Sequence, residues 1–178
     1  PARMVDTNDE WIVSRTGIRE RRIAGETDTV TSSSVASARL ACERARIDPA
    51  ELDLIVVGTF TADQMMPSVA CQVQYEIGAH AAAAFDLNAA CSGFVYALAT
   101  ATQFIESGLY QRILVIGTDI KSRYLIYTDR STCVLFGDGS GAVVLEASDA
   151  AEGVLSVALG ADGSAGHHLT LGDPASFA

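Results

Sequence analysis

The sequence has 178 residues and a formal net charge of −10 at pH 7, and 49% of its residues are hydrophobic. This length is sufficient for one domain with a substantial core, and the composition excludes a disordered chain. The acidic balance argues against nucleic-acid binding, because phosphate recognition needs a basic surface. No apolar run reaches the length needed to span a membrane.

The first part of the chain predicts three helices and one buried strand. A short helix through Trp11 is expected, because the residues before it suit an N-cap and an acidic first turn. A second helix is predicted over 31–47 from its apolar periodicity, with a cap among the serines at 32–34. The apolar run at 52–60 predicts a buried strand, and a third helix begins at Pro67 and Ser68.

The second part of the chain is organised around Cys91. A strand through Phe85 leads into a turn of small residues that contains this cysteine, and residues 95–110 read as a helix. Further strands are predicted at 112–119, 133–136, 142–145 and 154–159. The alternation of strands and helices predicts a layered α/β/α fold with a mixed sheet and a buried helix after the cysteine.

The glycine-rich stretch at 137–141 resembles a dinucleotide-binding loop only superficially. The glycine spacing differs from that fingerprint, and a β-branched run follows in place of a helix. We therefore predict a tight turn between two strands here.

The cysteines limit the chemistry further. They lie far apart and form no CxxC pair: Cys42, Cys71, Cys91 and Cys133. This spacing does not suit zinc or a disulfide framework, so we predict no metal site and a reducing, cytoplasmic location.

Cys91 has two interpretations from the residues alone. It can be a small core residue, as many free cysteines are. It can also be a nucleophile, because a thiol at a helix N-terminus meets the positive end of the helix dipole and free backbone N–H groups. Both features favour the thiolate, which is the reactive form.

Five stretches resemble the motifs of β-ketoacyl-acyl-carrier-protein synthase III. They are MVDTNDEWIV at 4–13, RTGIRER at 15–21, PSVACQ at 67–72, DLNAACSG at 86–93, and TDR at 128–130 followed by FGDG at 136–139. The resemblance implies a thiolase-type fold and a decarboxylating Claisen condensation that initiates fatty acid synthesis. An acyl group would pass from acyl-CoA to Cys91 and then condense with malonyl-acyl-carrier protein, with no cofactor other than the CoA thioester substrate.

The resemblance also implies roles for residues that bind CoA. Trp11 and Arg130 match the positions that hold the adenine between an aromatic ring and a guanidinium plane. Thr7 matches a position that hydrogen-bonds the adenine, and Arg15 matches a contact to the CoA phosphates.

Three further implications concern the reacting centre and subunit contact. The backbone N–H of Cys91 matches one donor of the oxyanion hole. Phe136 matches a residue that lines the acyl pocket. Met66 stands where the family places a pocket residue from the neighbouring subunit, which implies a homodimer.

Two departures from the family pattern qualify these expectations. The family's His-Gln-Ala-Asn and Gly-Asn-Thr-Ser motifs are absent, as is the strand that precedes Met4. We therefore expect residues 1–178 to form the N-terminal thiolase-like domain, with a missing C-terminal half that supplies the histidine and the asparagine. Ser131 replaces a common glycine, and Lys121 and residues 124–127 also differ, which leaves the acyl preference open.

Two alternative functions stay open from the sequence. A related cysteine synthase could use another acceptor, as in quinolone, polyketide or long-chain ketone biosynthesis. A non-catalytic module that binds CoA or a partner subunit would also be compatible with the absent motifs.

Overall fold

A computed structural model describes residues 5–150 and 153–171 of the chain. Met4, the first residue of the N-terminal motif, lies outside the described residues. In chain order the helices of the described part are α1 (Asp9–Thr16), α2 (Val30–Ala45), α3 (Val69–Glu76) and α4 (Gly93–Glu106). Its strands are β1 (Leu54–Gly58), β2 (Ala83–Leu87), β3 (Arg112–Ile120) and β4 (Asp138–Glu146).

The strands form one mixed sheet in the order β2-β1-β3-β4. β1 pairs in parallel with both β2 and β3, so Gly58 lies opposite Leu87 on one side and Gly117 on the other. β4 runs antiparallel to β3. Because β2, β1 and β3 share one direction, their carboxyl ends meet at a single edge of the sheet.

The core lies on both faces of this sheet. Ile55 and Val57 pack with residues of α2 and α3 on one face. Leu54 and Val56 pack with Ala97 and other residues of α4 on the opposite face. Alternate strand residues therefore enter different layers, which is why the central strands read as continuous apolar runs. The predicted layered α/β/α fold with a mixed sheet is confirmed.

The predicted cap of α2 is wrong by a few residues. Thr29 caps the helix, and Ser32 completes a reciprocal capping box with it. The carboxylate of Asp63 accepts hydrogen bonds from the backbone N–H groups of Val30 and Thr31 at 2.9 Å, which also fixes this start. The helix ends at Ala45, because Arg46 takes a left-handed conformation with φ of 57°.

The predicted tight turn at 137–141 is also wrong, because these glycines belong to β4 and its approach. Gly139 pairs with Asp119, and Gly141 pairs with Gly117, so this stretch extends the ladder with β3. The strand predicted at 133–136 does not form. Its first residues, Cys133 and Val134, are instead buried against Ile12 of α1.

The strand predicted at 154–159 is absent as well. These residues are mostly exposed, and no described strand pairs with them. Alternating apolar residues form a strand only where a neighbour accepts their backbone hydrogen bonds. Within the described part of the chain, no helix combines the length and apolarity needed to cross a membrane.

Candidate active site

The candidate site is assembled by three segments that follow the parallel strands. Phe60 lies just after β1, Cys91 follows β2, and Lys121 follows β3. Since the carboxyl ends of these strands are adjacent, residues that are far apart in sequence converge at one edge of the sheet. All three side chains line the same cleft.

Glycines let the first turn of α4 sit directly on the sheet. A Cβ atom on Gly58 would lie 2.6 Å from the carbonyl carbon of Gly93, a backbone atom that cannot move aside. A Cβ atom on Gly117 would lie 2.9 Å from Cβ of Phe94. The distance between α4 and the sheet, and with it the height of Cys91 above the strands, depends on these close approaches.

The turn that carries Cys91 has an unusual backbone. Ala90 has φ of 48°, in the left-handed region that disfavours residues with a Cβ. The side-chain oxygen of Asn88 accepts a hydrogen bond from the Ala90 N–H at 3.1 Å. The Ser92 N–H donates to the Ala89 carbonyl at 3.0 Å. This arrangement places Cys91 two residues before α4 begins.

Cys91 is exposed, which excludes its interpretation as a core residue. Cys91 therefore faces the cleft just before the N-terminal end of a 14-residue helix.

Lys121 is the residue closest to the Cys91 sulfur that can carry a charge. Its Nζ lies 3.1 Å from Sγ of Cys91. The same Nζ lies 5.0 Å from the ring centroid of Phe60 and 5.3 Å from that of Phe136. The ammonium is thus held over two aromatic rings while it contacts the sulfur.

Sequence reasoning identified Lys121 only as a departure from the family pattern, and missed its contact with Cys91. The signal that could have found it is compositional, because Lys121 is the only lysine among the chain's 12 Lys and Arg residues. Its position directly after a buried parallel strand was a second signal.

Two clefts meet at the Cys91–Lys121 pair. The first, which we call the Cys91 cleft, has a volume of about 500 Å³ and is walled by aromatic and aliphatic side chains that include Phe60, Phe136 and Leu125. The second has a volume of about 550 Å³, and its lining includes four glycines of the sheet: Gly58, Gly117, Gly139 and Gly141. Phe136, predicted to line an acyl pocket, therefore faces the same space as Cys91.

Two aspartates hold the segments that frame the Cys91 cleft. Oδ1 of Asp119 accepts hydrogen bonds from the Phe60 N–H at 3.1 Å and from the Thr61 hydroxyl at 3.0 Å. The carboxylate of Asp138 accepts from the Ser122 N–H at 2.8 Å, from its hydroxyl at 2.6 Å, and from the Ala24 N–H at 2.7 Å. Burial raises the pKa of Asp138, but these hydrogen bonds outweigh it, so the net pKa is lowered.

A separate group of residues, which we call the Trp11 cluster, contains Trp11, Arg15 and Arg130. The guanidinium carbons of Arg15 and Arg130 lie 4.5 Å and 4.9 Å from the Trp11 ring centroid. Nη1 of Arg130 donates to the Asp6 carbonyl at 2.9 Å, which ties it to the segment before α1. The structure therefore brings together three residues for which the family resemblance implies CoA binding.

Thr7 lies in the same segment, next to Asp6. Its Oγ1 is buried, and it has no hydrogen-bond partner among the described residues. A buried hydroxyl without a partner is unfavourable, so a ligand that pairs with it gains binding free energy. This is the property expected of the predicted adenine contact.

Ser131, the departure from the family's glycine, has a local structural role. Its hydroxyl and N–H donate to Oδ1 of Asp129 at 2.6 Å and 2.9 Å. These bonds and one from the Thr132 hydroxyl lower the pKa of Asp129. The serine therefore stabilises the turn that presents Arg130.

Met66 is the one predicted site residue that lies apart from the others in this chain. It is 82% exposed and does not line either cleft at Cys91. The structure describes a single chain, so the predicted contribution of Met66 to a neighbouring subunit stays a prediction.

Comparison with known proteins agrees with this arrangement. The family model for 3-oxoacyl-[acyl-carrier-protein (ACP)] synthase III matches residues 85–163, which include Cys91, Lys121 and Phe136. The β-ketoacyl-[acyl-carrier-protein] synthase III of Syntrophomonas wolfei is 55% identical over 167 residues. The resemblance to this family that the sequence motifs predicted is therefore confirmed.

Solved structures give the same result for the fold. The structure of 3-oxoacyl-[acyl-carrier-protein] synthase III from Aquifex aeolicus VF5 matches with 50% identity and a TM-score of 0.81, covering 84% of this chain and 48% of that one. The priming β-ketosynthase of the R1128 polyketide biosynthetic pathway matches with 44% identity and a TM-score of 0.81, covering 84% and 45%. The thiolase-like fold expected for this family is thereby confirmed.

The chain spans about half the length of the curated relatives it matches. For the Syntrophomonas wolfei protein, the alignment covers 93% of this chain and 50% of the relative.

Proposed function

We propose that this chain supplies the acyl-accepting half of a β-ketoacyl-acyl-carrier-protein synthase III, with Cys91 as the nucleophile. The observation that carries the proposal is the exposed Cys91 sulfur in an apolar cleft at the start of α4, 3.1 Å from Lys121 Nζ. A thiol in such a setting is suited to attack a thioester.

The acylation step uses groups that are already in place. The Cys91 thiol releases its proton to solvent, and the thiolate sulfur attacks the acyl-CoA carbonyl carbon to form a new C–S bond. The electron pair of the carbonyl π bond moves to its oxygen, which becomes the tetrahedral oxyanion. The Cys91 N–H stabilises this oxyanion, because amides at a helix N-terminus point toward it. The C–S bond to CoA then breaks, CoA leaves as a thiolate that takes a proton from solvent, and Cys91 remains acylated.

The Trp11 cluster is proposed to bind the nucleotide end of CoA. A planar adenine would enter between the Trp11 ring and the Arg130 guanidinium, displacing the contact that these side chains make at 4.9 Å. Thr7 Oγ1 would then gain a partner, and Arg15 would face the phosphates.

The condensation step is proposed to need groups that this sequence does not contain. Decarboxylation of malonyl-acyl-carrier protein forms an enolate, which the family's histidine and asparagine would stabilise. We propose that the C-terminal half of the fold supplies both residues and that Met66 reaches the acyl pocket of a second subunit in a homodimer. The four free cysteines favour a reducing, cytoplasmic location.

Transfer of an acetyl group from acetyl-CoA to the complete protein tests the proposal directly. Intact-protein mass spectrometry should show one added acetyl group on the wild type and none on Cys91→Ala. Cys71→Ala is the matched control, because Cys71 is also free and exposed but lies in α3, away from both clefts. Equal labelling of wild type and Cys91→Ala would refute the assignment.

A second candidate function is a priming synthase of polyketide assembly. The observation that favours it is the 44% identity to the R1128 priming β-ketosynthase, together with the departures Lys121 and Tyr124, both of which line the Cys91 cleft. Turnover of the acetylated enzyme with malonyl groups on carrier proteins from fatty acid and polyketide pathways separates the two. A strong preference for the polyketide carrier would support the second candidate.

A further inference from the structure

Lys121 is chemically unusual in this chain. It is the only lysine in the sequence, and the other 11 of the 12 Lys and Arg residues are arginines. A lysine ammonium is a compact point charge that can approach a single atom closely, whereas the planar guanidinium of arginine is suited to paired oxygen acceptors. The sole compact cation of the chain therefore stands beside its nucleophile.

Within residues 5–150 and 153–171, no carboxylate lies within 4.0 Å of Lys121 Nζ. The titratable groups that face the two clefts besides the pair itself are Asp119, Asp129 and Tyr124. Oδ1 of Asp119 is engaged by Phe60 and Thr61, and the Asp129 carboxylate by Ser131 and Thr132. The Cys91 sulfur is therefore the group that can neutralise the ammonium at contact distance.

The two aromatic rings explain why the ammonium stays at this place. Nζ lies over the Phe60 and Phe136 rings at 5.0 Å and 5.3 Å, and both rings attract a cation through their faces. Asp119 fixes the backbone of Phe60, and Asp138 fixes Ser122, the residue after Lys121. The segment that carries Phe60 and the segment that carries Lys121 are therefore each fixed by an aspartate.

We propose that the Lys121 ammonium forms an ion pair with the thiolate form of Cys91 and so favours the nucleophilic form of the sulfur. This inference rests on the proposed function, because it assigns a second residue to the same acyl-transfer step. The thiolate electron pair forms the bond to the acyl carbon, and CoA carries the negative charge away as it leaves. The ammonium keeps its proton throughout and loses its sulfur partner once the neutral thioester has formed.

Alkylation of Cys91 in the complete protein tests this inference without any CoA substrate. Wild type, Lys121→Met and Lys121→Arg are treated with iodoacetamide across a range of pH, and modification of Cys91 is followed by peptide mass spectrometry. Lys121→Met keeps an unbranched side chain that is one heavy atom shorter, and it removes the charge. Its rate at pH 7 should fall about tenfold, and the midpoint of its pH profile should move upward. Lys121→Arg should stay within about threefold of wild type.

A second reagent separates charge from structure. Iodoacetate is an anion and iodoacetamide is neutral, so the ammonium should accelerate alkylation by iodoacetate more than alkylation by iodoacetamide. The ratio of the two rates should fall at least about threefold in Lys121→Met. Arg44→Met is the matched control, because it removes one positive charge from an exposed position of α2 and should leave both the rate and the ratio unchanged.

The outcomes distinguish this inference from the proposed function. A Lys121→Met protein that melts at the wild-type temperature and is alkylated with the wild-type rate, pH profile and reagent ratio would overturn the ion pair. If these readouts change in Lys121→Met but the wild type does not accept an acetyl group from acetyl-CoA, the ion pair is supported. Only the proposed acyl transfer is then refuted.

Discussion

The Cys91 cleft is built on the central sheet, whereas the Trp11 cluster is held by side-chain contacts away from it. Cys91 lies on a turn between β2 and α4. The distance between α4 and the strands is set by the backbone contact of Gly58 with Gly93. In the Trp11 cluster, two arginines stack on one ring, and Arg130 also donates a hydrogen bond to the Asp6 carbonyl.

This difference matches what the two regions are proposed to do. A nucleophile must be held within a fraction of an ångström of its productive position, so it benefits from rigid backbone contacts. A nucleotide grip must open and close around its ligand, so contacts that can be exchanged for those of the ligand are suitable. Substitutions in the two regions should therefore affect different quantities.

The largest effect should come from Gly58→Ala, which would break the support of the Cys91 cleft. The new Cβ would lie 2.6 Å from backbone of Gly93, so α4 would have to move away from β1. We expect the free energy of unfolding to fall by about 3 kcal/mol, measured by urea denaturation, with loss of acyl transfer. Gly139→Ala is the control, because its Cβ would meet nothing within 4 Å. Equal stability of the two variants would contradict this account of the close contact.

A smaller effect, confined to substrate binding, is expected for Trp11→Ala. Removing the ring should weaken acyl-CoA binding by about 2 kcal/mol, seen as a rise in KM of roughly thirtyfold. The rate with a truncated acyl thioester that lacks the nucleotide should stay at the wild-type value. A similar loss with both substrates would show that Trp11 acts through the fold of α1.

The smallest effect should come from Asp138→Asn, which sharpens the comparison through pH. Because hydrogen bonding lowers the pKa of Asp138 in the folded state, the stability it provides is full above its unfolded pKa of about 4. That stability is lost as the pH falls through the lower pKa that Asp138 has in the folded state. We expect Asp138→Asn to lower the free energy of unfolding by about 1.5 kcal/mol at pH 7 and by less at pH 3.

Asp129→Asn is the comparison for that measurement. Its carboxylate is also hydrogen-bonded, but it belongs to an exposed turn beside Arg130. Its effect on the free energy of unfolding at pH 7 should be smaller than that of Asp138→Asn. The opposite order would show that the turn before Arg130 contributes more to the free energy of unfolding than the hydrogen bonds of Asp138 do.

The sequence predicted those elements whose own residues determine them. β1 and β3 follow from uninterrupted apolar runs, and α3 from the cap at Ser68. β4 was misplaced because Gly139 and Gly141 have no strand preference of their own and join the sheet only through pairing with β3. The run at 154–159 failed for the opposite reason, since its apolar alternation finds no neighbouring strand in the described residues.

The site was predictable to a similar degree. The place of Cys91 between a strand and a helix was predicted correctly, whereas its role as the nucleophile stays a prediction from the family resemblance. The contact of Cys91 with Lys121 could not be predicted, because 30 residues separate the two and only the order β2-β1-β3 brings them together. The empty hydrogen-bonding position of Thr7 Oγ1 depends in the same way on packing that no local pattern encodes.

The order of the strands also has a consequence for folding. β1 lies between β2 and β3, and the hydrogen bond from the Phe60 N–H to Asp119 joins residues that are 59 positions apart. Contacts over such separations form slowly, because a long loop must close before they contribute. The surroundings of Cys91 are therefore complete only after both neighbours of β1 have docked. Until then Cys91 lacks the neighbours on which its proposed role as a nucleophile depends, so under that proposal a nascent chain has no acyl-accepting site before the central sheet exists.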